Sequence, residues 1–197
     1  MVSGAAEVPA AVAVVRDFVN TDDHELGTDQ LENVAAFGRW LEQAGLAVGA
    51  DLASAEELDL AHRLRSGLRR ALELNHDGDT GSLPTLGEAL GELPVRLAWD
   101  GSAPVLTTHA EGALGGLARV AVSAHEAVAS GDWSRLKICA FDECEWAYYD
   151  HSKNRSRNWC EYGCGNKVKT RAYRTRQRSS TAPQRSRAAG DGATFRS

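Results

Sequence analysis

No stretch of about 18 consecutive apolar residues occurs in this 197-residue chain, so nothing in it reads as a membrane-spanning helix. The opening residues lack the basic start and small-residue cleavage site of a secretory signal, which predicts a cytoplasmic protein. No segment repeats. A catalytic constellation is missing too. Asp150, His151 and Ser152 are neighbours in sequence, and such neighbours do not face one another as a triad must. The expectation is a protein that is not an enzyme. Cysteine is absent from the first 138 residues and from the last 33, so all four fall in one short window.

What is present suits a folded protein. Hydrophobic residues make up 43% and charged residues 25%, enough to bury a core, and the length fits one helical domain plus a small satellite. The net charge of -5 conceals an asymmetry. Residues 1–131 hold 8 basic and 20 acidic side chains, a balance of -12, whereas residues 132–197 hold 14 basic and 7 acidic, a balance of +7. An acidic body would be repelled by phosphates that a basic end neutralises, so the end is expected to meet a polyanion; a merely solvated basic tail is the alternative.

Helical periodicity places Val12, Val15, Phe18 and Val19 on one face, followed by a polar loop from Asn20 to Gly27. In the next segment Asp29 reads as an N-cap with Glu32 three positions on, Val34, Phe37, Leu41 and Ala44 share a face, and Gly45 is the stop. A second capping box, Ser54 and Glu57, opens a helix with Leu58, Ala61, Leu64, Leu68 and Leu72 on one side. Residues 82–92 fit neither period. VRLAW and PVLTTH flank DGSAP as a small hairpin. Leu114, Leu117, Ala118, Ala121, Val122 and Val128 then form the apolar stripe of a long helix ending at Gly131.

The cysteines are spaced as Cys139, four residues, Cys144, fifteen residues, Cys160, three residues, Cys164. Two close pairs joined by a short loop can bring four thiolates to the corners of a tetrahedron, as a closed structural zinc site requires. Two disulfides are the competing reading, disfavoured in a reducing cytosol. Ile138 to Glu145 reads as a tight knuckle, WAYYD as a strand, SKNRSRN as a turn and the second pair as the start of a helix, a treble-clef-like layout. With all four cysteines ligating one Zn2+, no position stays open for water, so the ion builds structure. Trp146, Tyr148, Tyr149 and Trp159 read as the module's small core, with stacking on bases as the other use.

Basic residues crowd around this site: Lys153, Arg155 and Arg157 in the loop, then Lys167, Lys169, Arg171, Arg174, Arg176 and Arg178 along the expected helix. Positions 167, 171, 174 and 178 share one broad helical face, from which phosphates and base edges of double-stranded DNA are within reach. RNA contacts would use the same charges, and most Arg and Lys contacts to nucleic acid go to phosphate.

The segment CAFDECEWAYYDHSKNRSRNWCEYGCGNKVKTRAYRTR resembles the CGNR zinc finger in both cysteine pairs, in YYDHS, in SRNWC and in the basic helix that follows. The name-giving motif reads Cys164, Gly165, Asn166, Lys167 here, with Lys in place of Arg. Charge is kept and the planar fork is lost. Upstream, DFVNTDDHELGTDQLENVAAFGRWLEQAGL resembles the ABATE domain, which usually precedes this finger. The resemblance implies a stress-responsive transcription regulator with a DNA-binding finger.

The fold class expected is α+β, mainly α. An α-rich domain with a small β-hairpin spans 8–131 and serves regulation or dimerisation, a zinc finger ending in a basic helix spans 132–178, and a disordered tail spans 179–197. Partners expected are double-stranded DNA, a homodimer mate and a small-molecule effector, with no membrane. Asn20, Asp22, Asp23 and His24 either line a small-molecule pocket or a metal site, or simply cap the next helix as a loop. His62, His109 and His125 read as residues at the core boundary. Two functions from other classes stay open at this point, a protein-interaction adaptor and a thiol redox switch at Cys160 and Cys164.

Overall fold

Amphipathic segments become helices where the periodicity placed them. The computed structural model describes residues 7–48 and 53–180. Helix α1 (Ala10–Val19) buries Val12, Val15, Phe18 and Val19 completely. The polar loop after it closes a minimal antiparallel ladder, β1 (Asp22–Asp23) with β2 (Thr28–Asp29).

Helix α2 (Val34–Gln43) starts later than its sequence suggests. Its N-cap is Asn33, whose side-chain oxygen accepts from the Ala36 N–H at 2.9 Å, and not Asp29. Asp29 is drawn away by a bidentate pair with Arg65 at 2.6 and 2.7 Å. The buried face is Ala36, Phe37, Trp40 and Leu41, while Ala44 is exposed. Gly45 ends the helix with φ of 68°, a conformation that costs glycine no Cβ clash.

Helix α3 (Ala55–Asp77) opens with the expected capping box, Ser54 accepting from the Glu57 N–H and Glu57 accepting from the Ser54 N–H. Its inner face carries Ala61, Leu64, Leu68 and Leu72, and also Arg65 and Arg69. The ambiguous segment forms α4 (Pro84–Gly91), with Pro84 in the first turn, where its missing N–H is not needed. The hairpin is β3 (Arg96–Trp99) with β4 (Pro104–Thr107). Helix α5 (Gly112–Ala129) buries Leu117 and Ala118 of the expected stripe together with Ala113, Val120 and Ala127, packs Leu114 and Ala121 against the core's edge, and leaves Val128 56% exposed at its last turn.

After a short 3-10 turn at Trp133–Arg135 comes a second hairpin, β5 (Leu136–Ile138) with β6 (Ala147–Tyr149), then α6 (Cys164–Ser180). Leu136, Ile138 and Ala147 belong to the same apolar core as Phe18, Phe37, Leu68 and Leu117. The described residues form two compact units, one ending at Gly165 and the other beginning at Asn166. Of the tail expected to be disordered, Ser179 and Ser180 are in α6 and 181–197 lie outside the described residues.

Candidate metal centre and basic surface

Cys139 follows β5, Cys144 closes the turn before β6, and Cys160 and Cys164 bracket the start of α6. All four are free of disulfides and buried. Their sulfurs all lie within 4.8 Å of one another. Cys144 Sγ is 3.7 Å from Cys160 Sγ, which in turn is 3.5 Å from Cys164 Sγ. A tetrahedron of Zn–S bonds near 2.3 Å has edges of about 3.8 Å, whereas a disulfide needs about 2.05 Å. The sulfurs fit one zinc ion and no S–S bond.

The surroundings suit thiolates only if a cation joins them. Burial pushes the Cys144 thiol upward and the Cys160 thiol up to about 12. Backbone N–H groups of Trp146 and Tyr162 work against that by donating to Cys144 and Cys160, the outer-shell bonds that orient metal ligands. One structural Zn2+ held by Cys139, Cys144, Cys160 and Cys164 satisfies both demands.

The first knuckle is clamped to the helical body. Glu145 sits at φ of 46°, a left-handed conformation unusual for a side chain with a Cβ. Its carbonyl accepts from Arg69 Nη1 at 2.7 Å and its carboxylate lies 2.8 Å from His24 Nδ1. Arg69 Nη2 also donates to the carbonyls of Val19 and Asp22. Asn75 Nδ2 donates to the carbonyls of Trp133 and Leu136, tying α3 to the start of β5. The sequence reading passed over Arg69, although its place among Ala61, Leu64, Leu68 and Leu72 was the available signal that this cation is buried.

The sequence groups Asn20, Asp22 and His24 as candidate pocket residues. Asn20 is 4% exposed and directs its amide to the Ala147 backbone, whereas Asp22 lies 3.0 Å from His24 Nε2 and 3.7 Å from Arg69 Nη2. Asn20 and His24 join loop to finger at Ala147 and Glu145, while Asp22 links His24 to Arg69.

The loop from 150 to 157 is organised by a second buried cation. Lys137 Nζ donates to Asp150 Oδ2 at 2.9 Å, with both side chains nearly inaccessible. Asp150 also accepts from the N–H groups of Ser152 and Arg157. Burial opposes ionisation, yet these hydrogen bonds outweigh it and hold the Asp150 carboxyl down at about 2. Arg155 (φ 52°) donates to Ser134 Oγ, and Arg157 donates to Trp159 O and Glu161 and lies 5.7 Å from the Tyr148 ring centroid. Lys153 is exposed.

Among the aromatics read as a separate small core, Tyr148 is buried, Trp146 and Trp159 are half-buried, and Tyr149 packs against the main core. A Cβ at Gly165 would stand 3.2 Å from Trp159, which gives the glycine after Cys164 a packing reason. In α6, Lys167, Lys169, Arg171, Arg174 and Arg176 are all exposed; Arg178 lies in the same helix.

No helix among the described residues is long and apolar enough to cross a membrane. No curated protein matches the chain. The family model of the CGNR zinc finger matches residues 135–177, with all four clustered cysteines inside it. That of the ABATE family, described as "Putative stress-induced transcription regulator", matches residues 12–131, more than half of the chain. The chain therefore belongs to the ABATE family and carries a CGNR zinc finger after the ABATE region.

Proposed function

We propose that this protein is a non-catalytic, zinc-dependent transcription regulator of the cytoplasm that binds duplex DNA through α6 and the finger loop, while its helical body senses a signal or pairs with a second copy. The observation that carries this reading is the composition of α6. Its 17 residues include Lys167, Lys169, Arg171, Arg174, Arg176 and Arg178 and no Asp or Glu, and every side chain from 169 to 177 is exposed. A helix that is polar all round and this rich in one charge gains little from packing, and such a density of positive charge suits phosphates. Zinc supports the reading indirectly, since a closed four-sulfur site contributes folding energy and offers no coordination position for a substrate.

The test is fluorescence anisotropy of zinc-loaded, full-length protein with duplex DNA across a salt series. Affinity should fall steeply as salt rises, and joint replacement of Lys167, Arg171 and Arg174 by alanine should weaken it further. Affinity indifferent to salt and to these substitutions would sink the proposal.

A further inference from the structure

A cavity of about 380 Å3 opens between α1 and the finger, with β6 and the second knuckle on its far side. Its walls are aromatic. The rings of Trp146 and Tyr162 meet edge to face, centroids 5.8 Å apart and planes at 89°. Tyr149 and His151 form a second such corner at 4.8 Å and 77°. Two rings at right angles form two sides of a box, and a cation within about 6 Å of such ring centroids is attracted by their quadrupoles.

The charges agree with the rings. Asp17 and Glu161 line the cavity with side chains 56% and 72% exposed, as carboxylates at a mouth are. Arg16 lines it as well and pairs with Asp17 at 2.7 Å, and Arg157, behind the lining, pairs with Glu161 at 3.3 Å. By formal charge the lining holds one arginine and two carboxylates, a balance of -1.

Hydrogen bonding narrows the ligand class. The floor amide of Asn20 already bonds both backbone groups of Ala147, and the Tyr149 hydroxyl donates to Asp132 at 2.6 Å. What these walls offer is aromatic surface with two carboxylates at the mouth, which suits an alkylated ammonium cation.

We infer that this cavity binds a small alkylated-ammonium cation and that such a cation is the signal read by the helical body; the second part rests on the regulatory reading above. The occupant would touch α1 and, through the neighbourhood of Cys160, the metal-bearing knuckle, so its binding acts on both at once.

Calorimetric titration of the zinc-loaded, full-length protein with choline and with its uncharged carbon isostere, 3,3-dimethyl-1-butanol, tests the inference. Choline should bind at least about fivefold more tightly than the isostere, the cation–π share of affinity. Tyr162→Leu, at a residue 66% exposed, should abolish that preference while zinc content and circular dichroism stay unchanged. Trp146→Leu should do the same. Equal binding of the two compounds, no binding of choline, or an unchanged preference in well-folded Tyr162→Leu overturns the site. Choline that binds yet leaves DNA affinity unaltered overturns its role as signal. Salt-dependent DNA binding without choline checks the regulatory reading separately, so either can fail alone.

Discussion

Asn20 and Ala147, 127 residues apart, exchange two hydrogen bonds in the interior. Asn20 Nδ2 donates to the Ala147 carbonyl at 2.9 Å and the Ala147 N–H donates to Asn20 Oδ1 at 2.7 Å. The amide thus gives β6 the pair of bonds that a neighbouring strand would. Asn20→Ala strands one buried donor and one buried acceptor, at about 1–3 kcal/mol for each group left unsatisfied. Urea denaturation of the zinc-loaded protein should show a loss of about 2–4 kcal/mol. Stability unchanged within about 0.5 kcal/mol would mean that water replaces the amide at no cost.

Zinc removal should reach beyond the finger. Leu136, Ile138 and Ala147 lie in the common core, so a hairpin loosened by loss of its metal exposes apolar surface on α1 and α3 as well. A chelator should lower the melting temperature read from helical ellipticity, and Cys→Ser at 139, 144, 160 or 164 should mimic it. Apparent zinc affinity should rise with pH, because burial favours the protonated thiols at Cys144 and Cys160 and metal binding expels those protons. A helical melt indifferent to chelator would show that body and finger unfold independently.

The Lys137–Asp150 pair gives a prediction with a sign. Asp150 has its carboxyl lowered from 3.8 to about 2 in the fold. A carboxylate with a depressed native pKa stabilises fully above the unfolded value, and the contribution is lost as pH falls through the native one. The shift corresponds to about 2 kcal/mol, present above about pH 4 and gone near pH 2. Asp150→Asn should therefore cost stability at neutral pH, about 3 kcal/mol given the unpaired Lys137 left behind. Adding Lys137→Met should recover part of the loss. The gap between wild type and Asp150→Asn in urea midpoints should narrow as pH drops below 4; a constant gap would assign the effect to packing.

Local chemistry was legible in the sequence and distant partners were not. The Ser54–Glu57 box spans three residues, and the four cysteines announce their chemistry by type and spacing, so both were readable. Asp29 resembles a cap because Glu32 follows it, yet Arg65 claims its carboxylate from 36 positions away. Asn20 reads in sequence as a pocket residue or a loop cap and does line the cavity beside α1, but nothing nearby reveals its partner at Ala147. The stripe on α5 was misplaced at Val128 because its orientation is fixed by packing against α1 and α3, contacts that periodicity alone does not specify.

Close approach makes a further prediction at α5. A Cβ on Gly115 would fall 2.2 Å from the Ala110 carbonyl oxygen, a backbone atom that cannot rotate aside. Gly115→Ala usually helps a helix by up to about 1 kcal/mol. Here it should destabilise by about 1–3 kcal/mol, the typical overpacking cost. A thermal melt shifted upward would show that the turn before α5 yields freely.

Basic residues of the finger should separate into two classes when DNA affinity and stability are measured on the same variants. Lys169, Arg174 and Arg176 are exposed on α6, so replacing any one with alanine should change folding stability by no more than about 0.5 kcal/mol. If the residue neutralises a phosphate, the slope of log affinity against log salt should flatten by about 0.9. Arg157 differs, because its guanidinium bonds Trp159 O at 2.8 Å and stands over the Tyr148 ring. Arg157→Ala should lower stability by about 1 kcal/mol or more through the lost charge-assisted bond and ring contact, and should weaken DNA binding mainly by loosening the loop that Asp150 organises. A flattened salt slope for Arg157→Ala with unchanged stability would reassign it to the phosphate-contacting class.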